Sequence, residues 1–258
     1  MYHEIAGPAD TGSHLAVSPS QFAAQLGYLH DAGFHTVTAG TLAEIMNGGA
    51  GRLPDRTVVL TFDDGFEDFH RQALPLLERY GFTATLYVTT GWVQDAGPLP
   101  AGQRPGRMLS WDQVAEVADA GVEIGAHSQL HPQLDQLPRR RLREELRVSK
   151  ADLEDRLGRP VPGLAYPFGY SSAAVREEAR DAGHGYACAV GNTLPDPGTD
   201  PLALPRLTVR RSTTIQGFQQ ITLGRDIPMF FRKDRALTKG YAIARRTRSA
   251  LGRVRRVE

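Results

Sequence analysis

Thr57-Val58-Val59-Leu60-Thr61-Phe62-Asp63-Asp64-Gly65 is an apolar run that stops at two adjacent carboxylates and a glycine. Its β-branched and aromatic residues lack helical spacing, so Val58, Val59, Leu60 and Phe62 read as one buried strand. The carboxylates then stand at the strand's C-terminal end, where parallel α/β folds carry their chemistry. Neighbouring side chains on an extended chain point to opposite sides. Asp63 and Asp64 can therefore share a pocket only if the backbone turns, which Gly65 permits. Taken alone, the same residues also read as a turn whose aspartate caps a helix starting near Phe66. Partner residues elsewhere decide between the two.

Outward from this stretch, strand-like and helix-like segments alternate. Ser18-Pro19 with Gln21 forms a capping box ahead of Phe22, Leu26 and Leu29 at helical spacing, and Ser110 with Gln113 forms another. Strands are expected near residues 1–5, 34–38, 83–88, 122–126, 164–166, 186–190 and 204–210. Helices are expected near 19–32, 41–46, 66–80, 111–120, 138–157, 171–182 and 213–223. Residues 90–107, rich in glycine and proline around Trp92, are too long for a routine connection and read as a functional loop over one rim. About eight strands alternating with helices imply a parallel sheet, barrelled or open.

The 258 residues carry a net charge of +1 and 41% hydrophobic residues, which fits a globular protein with a large core and gives no sign of a nucleic-acid partner. Cys188, the single cysteine, excludes an internal disulfide and reads as a core thiol. No apolar stretch is long enough to span a membrane, and no signal segment opens the sequence as written, so a cytoplasmic or membrane-peripheral location is expected. The composition changes at Arg225: residues 225–258 hold 11 Lys and Arg against 3 Asp and Glu, or +8, leaving −7 on residues 1–224. Apolar residues such as Phe230, Phe231, Leu237, Tyr241 and Ile243 are interspersed among those arginines. The expectation is a catalytic domain at 1–224 and a basic, helical C-terminal tail at 225–258 that contacts a membrane surface or a protein partner.

The chemistry gathers when a second stretch is added. His127-Ser128-Gln129-Leu130-His131-Pro132 also follows a strand end. Two histidines four apart meet on one face of a helical turn, and two imidazoles with one carboxylate form a common three-ligand zinc set that leaves a position open for water. His30, His35, His70 and His184 have no such company and read as surface or helix-end positions.

Thr61-Phe62-Asp63-Asp64-Gly65, His127-Ser128-Gln129-Leu130-His131-Pro132 and Tyr166-Pro167-Phe168-Gly169, in that order, resemble the first three motifs of the polysaccharide deacetylases with the NodB-homology domain, carbohydrate esterase family 4. The likeness runs from about Tyr2 to Leu223. It implies an α/β fold of the deformed (β/α)7-8 barrel type, a divalent metal, usually zinc, and removal of N-acetyl groups from amino sugars. It also implies Asp63 as general base, Asp64, His127 and His131 as metal ligands, the backbone N–H of Phe168 as oxyanion donor, and Tyr166, Pro167, Phe168 and Gly169 as substrate-binding.

Two departures matter. Ala165 stands where the family's third motif has an arginine that orients the base, which makes Arg206 and Arg210 the candidates for that role. The late leucine-x-histidine motif that supplies the acid is absent. Tyr2-His3 instead resembles the permuted arrangement of the poly-N-acetylglucosamine deacetylases, whose acid histidine comes from an N-terminal strand, so His3 is the acid candidate. The expected function is a metal-dependent hydrolase of N-acetylated amino sugars in a polysaccharide, oligosaccharide or glycan precursor. The alternatives are a hydrolase of a small non-sugar linear amide at the same site, and a catalytically inactive carbohydrate-binding domain.

Overall fold

A computed structural model of the chain describes residues 1–8, 11–96, 105–196 and 198–236. In chain order these form α1 (Pro19–Asp31), β1 (His35–Thr36), α2 (Ala39–Met46), β2 (Thr57–Val58), β3 (Thr61–Phe62), α3 (Leu74–Tyr80), β4 (Thr85–Val88) and α4 (Trp111–Asp119). There follow β5 (Glu123–Ala126), α5 (Arg139–Leu157), β6 (Gly163–Ala165), α6 (Ala173–Asp181), β7 (Tyr186–Cys188), α7 (Ile215–Thr222) and α8 (Ile227–Phe230). Both expected capping boxes are present, with Ser18 and Ser110 each accepting the backbone N–H of the glutamine three residues on.

The strands β3-β4-β5-β6-β7 form one parallel sheet in sequence order, each successive pair joined by a connection that carries a helix. The apolar run at 57–62 is not one strand. Val58 pairs through β2 with β1, whereas Thr61 and Phe62 pair through β3 with β4, so the chain changes partner across Val59 and Leu60. The sheet then curls until its edges approach. Tyr2 N–H donates to Thr61 O at 2.8 Å on one side, and Val209 N–H donates to Met1 O at 2.9 Å on the other. Leu204 in turn bridges to Cys188 of β7. Residues 204–210, expected as the last strand, ladder with β7 only at Leu204, and the next residue, Pro205, has no N–H to continue the ladder. The result is a deformed (β/α) barrel whose seam is closed by two extended segments.

The core is aromatic at that seam. Tyr2 stacks on Phe62 with centroids 5.1 Å apart, and Phe22 and Phe69 meet them edge-on at 5.2 and 4.7 Å. The helix expected from Phe66 starts at Glu67, but a π turn at Phe69–Ala73 interrupts it before α3, where Pro75 offers no N–H to the carbonyl four residues back. His184 stands just past the end of α6, one of the two expected readings, but it is buried at 3% exposure rather than on the surface, and burial pushes its imidazole down to about 4.

The composition break at residue 225 is not where packing stops. Ile227 and Phe231 are buried at 5% and 2% in the same cluster as Phe218 and Ile221, and Asp234 pairs with Arg210 at 2.7 Å. Most of the basic segment, 237–258, and the membrane or partner contact expected of it lie outside the described residues. So do residues 97–104 of the expected rim loop. Among the described residues no helix is long and apolar enough to cross a membrane. Phe231→Ala should lower stability by about 3–5 kcal/mol in urea denaturation. A chain ended at Gly224 should be less stable than one ended at Ala236; equal stability would show that Phe231 is dispensable to the core.

Candidate active site

Parallel register sets one rim of the barrel. Phe62 lies beside Leu86 and Val88 beside Ala126, so the residues that follow β3 and β5 emerge together. Asp63 N–H is held by Tyr2 O at 3.1 Å and His127 N–H by Val88 O at 2.9 Å. The backbone then turns sharply, with φ +78° at Asp64 and +88° at Gly65. This turn puts both carboxylates, 3% and 9% exposed, into one site although they are sequence neighbours.

Asp64 Oδ1 lies 3.2 Å from His131 Nε2 and 3.4 Å from His127 Nε2. The three prospective ligand atoms are within 4.8 Å of one another. His127 Nδ1 stands 2.8 Å from Ala165 O, which fixes its N–H there and leaves the Nε2 lone pair facing Asp64. Although these contacts are at ion-pair distance, Asp64 Oδ1 is buried without an aligned hydrogen bond. A buried carboxylate oxygen facing two imidazole nitrogens, with no proton aligned between them, fits a cation held by an N, N, O donor set.

The histidines meet by a route that differs from the expected helical turn. Ser128 and His131 adopt φ +61° and +57°, and Ser128 Oγ accepts the His131 N–H at 3.0 Å, so 127–131 is a tight irregular loop. The His131 ring stacks on Trp92 with centroids 4.8 Å apart and meets Phe168 at an angle, also at 4.8 Å.

Asp63 faces Arg206. The guanidinium donates Nη1 to Asp63 Oδ1 at 2.6 Å and Nη2 to Oδ2 at 2.7 Å, a fork-to-fork pair. Arg206 is fixed in turn by Ala189 O, which accepts from Nε at 3.2 Å, by Thr61 Oγ1 at 3.3 Å, and by the Tyr87 ring 5.4 Å beneath it. Burial would raise the Asp63 carboxyl, but the Arg206 charge and hydrogen bonds prevail and hold it below the usual range. Arg210, the other arginine singled out, pairs with Asp234 instead. His3 lies close enough to feel both aspartates. Burial pushes its imidazole down while Asp64 and Asp63 pull it up, and its Nδ1 has no hydrogen-bond partner among the described residues.

Of the four third-motif residues, only Phe168 presents a surface, at 50% exposure and with φ +60°. Tyr166 is fully buried and donates its hydroxyl to Leu202 O at 2.9 Å, while Pro167 and Gly169 are also buried. The Tyr166 and Pro167 side chains therefore support the turn and do not line the opening, and Gly169 has none to offer. Trp92 and Glu145 take part in the site but were not assigned from sequence. For Trp92 the sequence offered its place in the loop at 90–107, expected to lie over one rim, but no role. Glu145 was detectable as an acid on the apolar stripe of α5.

The profile of the family described as polysaccharide deacetylase matches residues 50–187, more than half of the chain, and the protein belongs to that family. The chain is 27% identical over 186 residues to the Bacillus subtilis protein YxkH, which carries a polysaccharide deacetylase name; the match covers 71% of this chain and 61% of YxkH. It is 26% identical over 208 residues to a Staphylococcus aureus poly-β-1,6-N-acetyl-D-glucosamine N-deacetylase, covering 76% of this chain and 68% of the relative. The solved structure of IcaB from Ammonifex degensii superposes with a TM-score of 0.73 at 27% identity, covering 86% of this chain and 93% of that one. The Staphylococcus aureus relative is by name a deacetylase, a hydrolase of a non-peptide carbon-nitrogen bond.

Arg206→Met strands a buried carboxylate and should cost about 3–5 kcal/mol in urea at pH 7. Asp63 has its folded pKa depressed, so the pair stabilises the fold above the unfolded value of about 3.9 and loses that contribution as pH falls through the folded value. The stability gap between wild type and Arg206→Met should therefore narrow in acid. A gap that stays constant down to pH 2 would contradict the pairing.

Proposed function

We propose that this protein is a metal-dependent deacetylase that removes N-acetyl groups from N-acetylated amino sugars in a glycan, with β-1,6-linked N-acetylglucosamine oligomers as the first substrate class to test. The observation that carries the reading is the juxtaposition of an arginine-fixed carboxylate, Asp63, with the Asp64-His127-His131 donor set. The names of the relatives supply the substrate class, and this chain spans only part of YxkH.

Asp64, His127 and His131 would hold the metal, and the donor set suits zinc. When bound, a divalent cation lowers the pKa of water toward about 7 and polarises the amide carbonyl. Asp63, kept anionic by Arg206, accepts the proton of the attacking water. The Phe168 N–H stabilises charge on the carbonyl oxygen, and its half-exposed ring beside His131 gives the sugar an apolar face. His3 delivers the proton that the leaving amine needs. Burial keeps this imidazole neutral at rest, so it must first take up a proton, which the two aspartates nearby favour.

Asp63→Asn should retain zinc by elemental analysis yet lose about 10²–10⁴-fold in kcat for acetate release. His127→Ala and His131→Ala should lose both. Comparable zinc loss in all three would overturn the division between base and ligands. Testing β-1,6 oligomers, chitooligosaccharides and a small aryl acetamide side by side identifies the substrate class, and turnover of the aryl acetamide alone would contradict the glycan reading. His3→Ala should slow acetamide cleavage far more than that of an activated acetate ester, whose leaving group needs no proton. An equal effect on both would move the acid role elsewhere.

A further inference from the structure

Helix α5 carries a buried stripe of Leu142, Glu145, Leu146, Ser149 and Leu153. A carboxylate at 2% exposure on that stripe is costly unless its oxygens are hydrogen-bonded. Glu145 Oε2 accepts the backbone N–H of Gln129 at 3.0 Å and of Leu130 at 2.8 Å, the two residues just before His131. Two turns further along the helix, Asp152 Oδ2 accepts from Thr90 Oγ1 at 2.9 Å. Thr90 N–H donates to Ser128 O at 3.3 Å and Gly91 N–H to Gln129 O at 2.9 Å, and the turn ends in Trp92, stacked on His131. A Cβ on Gly91 would lie 2.6 Å from Gln129 O, so this approach admits only glycine. The loop from 127 to 131 is thus gripped on one side by Glu145 and on the other by a turn that α5 also anchors.

We propose that Glu145 is a positioning residue for the metal. By fixing the Gln129 and Leu130 amides it holds a backbone with two left-handed non-glycine residues, Ser128 and His131, in the conformation that brings the His131 ring to Asp64. This rests on the reading of Asp64, His127 and His131 as ligands. The role belongs to the acceptor oxygen rather than to side-chain volume, because both bonds go to a single oxygen and no cation among the described residues forms an ion pair with Glu145.

The test uses zinc alone as the probe, measured by chelator competition on the full chain, with urea denaturation of the zinc-free protein in parallel. Glu145→Met keeps the volume but accepts no hydrogen bond, and should weaken zinc binding about 10–100-fold. Glu145→Gln keeps an acceptor oxygen and should stay within about threefold of wild type. Zinc affinity unchanged in Glu145→Met, with or without lower stability, would make Glu145 a packing residue and overturn the proposal. Equal weakening in both variants would assign the effect to charge and overturn it too. If Glu145→Met does not fold, Thr90→Val releases the same loop from the Asp152 side, and unchanged zinc affinity there would also overturn the proposal. Wild-type protein that binds no zinc would instead refute the ligand reading on which the proposal stands.

Discussion

The Arg206–Asp63 pair ties the barrel's seam to its site. Asp63 is buried at the end of β3, and Arg206 arrives from the extended segment that closes the sheet on the far side of residues 1–2. A buried carboxylate without a partner neutralises or unfolds its surroundings, so the ionised form requires that the two ends of the sheet meet. Closure of the fold and ionisation of Asp63 are in this sense one constraint. The aromatic contacts of Tyr2, Phe22, Phe62 and Phe69 lie under the same seam and supply the apolar burial that holds it shut.

The adjacency of Asp63 and Asp64 is resolved by backbone geometry. Left-handed φ values at Asp64, Ser128, His131 and Phe168 all fall at strand ends on one rim. Such conformations are costly for non-glycine residues and persist where surrounding bonds over-determine them. Here the bonds are visible: Thr89 N–H to Asp64 O, Ser128 Oγ to His131 N–H, and Glu145 to the two amides between the histidines. Strain at Asp64, Ser128 and His131 is thus held by hydrogen bonds, those of Thr89 and Glu145 coming from elements outside the donor set.

Much of this was legible in the sequence. Periodicity and capping residues located the helices, and the motif pairs located both strand ends, because those signals are local. What escaped was set by tertiary contact. The run from Val58 to Phe62 has the composition of one strand, yet nothing in it says that its halves pair with different neighbours. Arg206 and Arg210 were indistinguishable four residues apart on one expected strand; the structure separates them by giving Asp63 to one and Asp234 to the other. The charge change at Arg225 marked a composition boundary, while Phe231 follows the core. Tyr166 matched the family motif by type, but the pleat turns its ring inward.

The central claim is that two imidazoles and one carboxylate on this rim hold a catalytic metal. X-ray absorption at the zinc edge, on full-length protein loaded with one equivalent of zinc, tests it most directly. The account predicts nitrogen and oxygen scatterers at about 2.0–2.2 Å with outer-shell scattering from two imidazoles. A shell containing sulfur, or one without imidazole scattering, would contradict it.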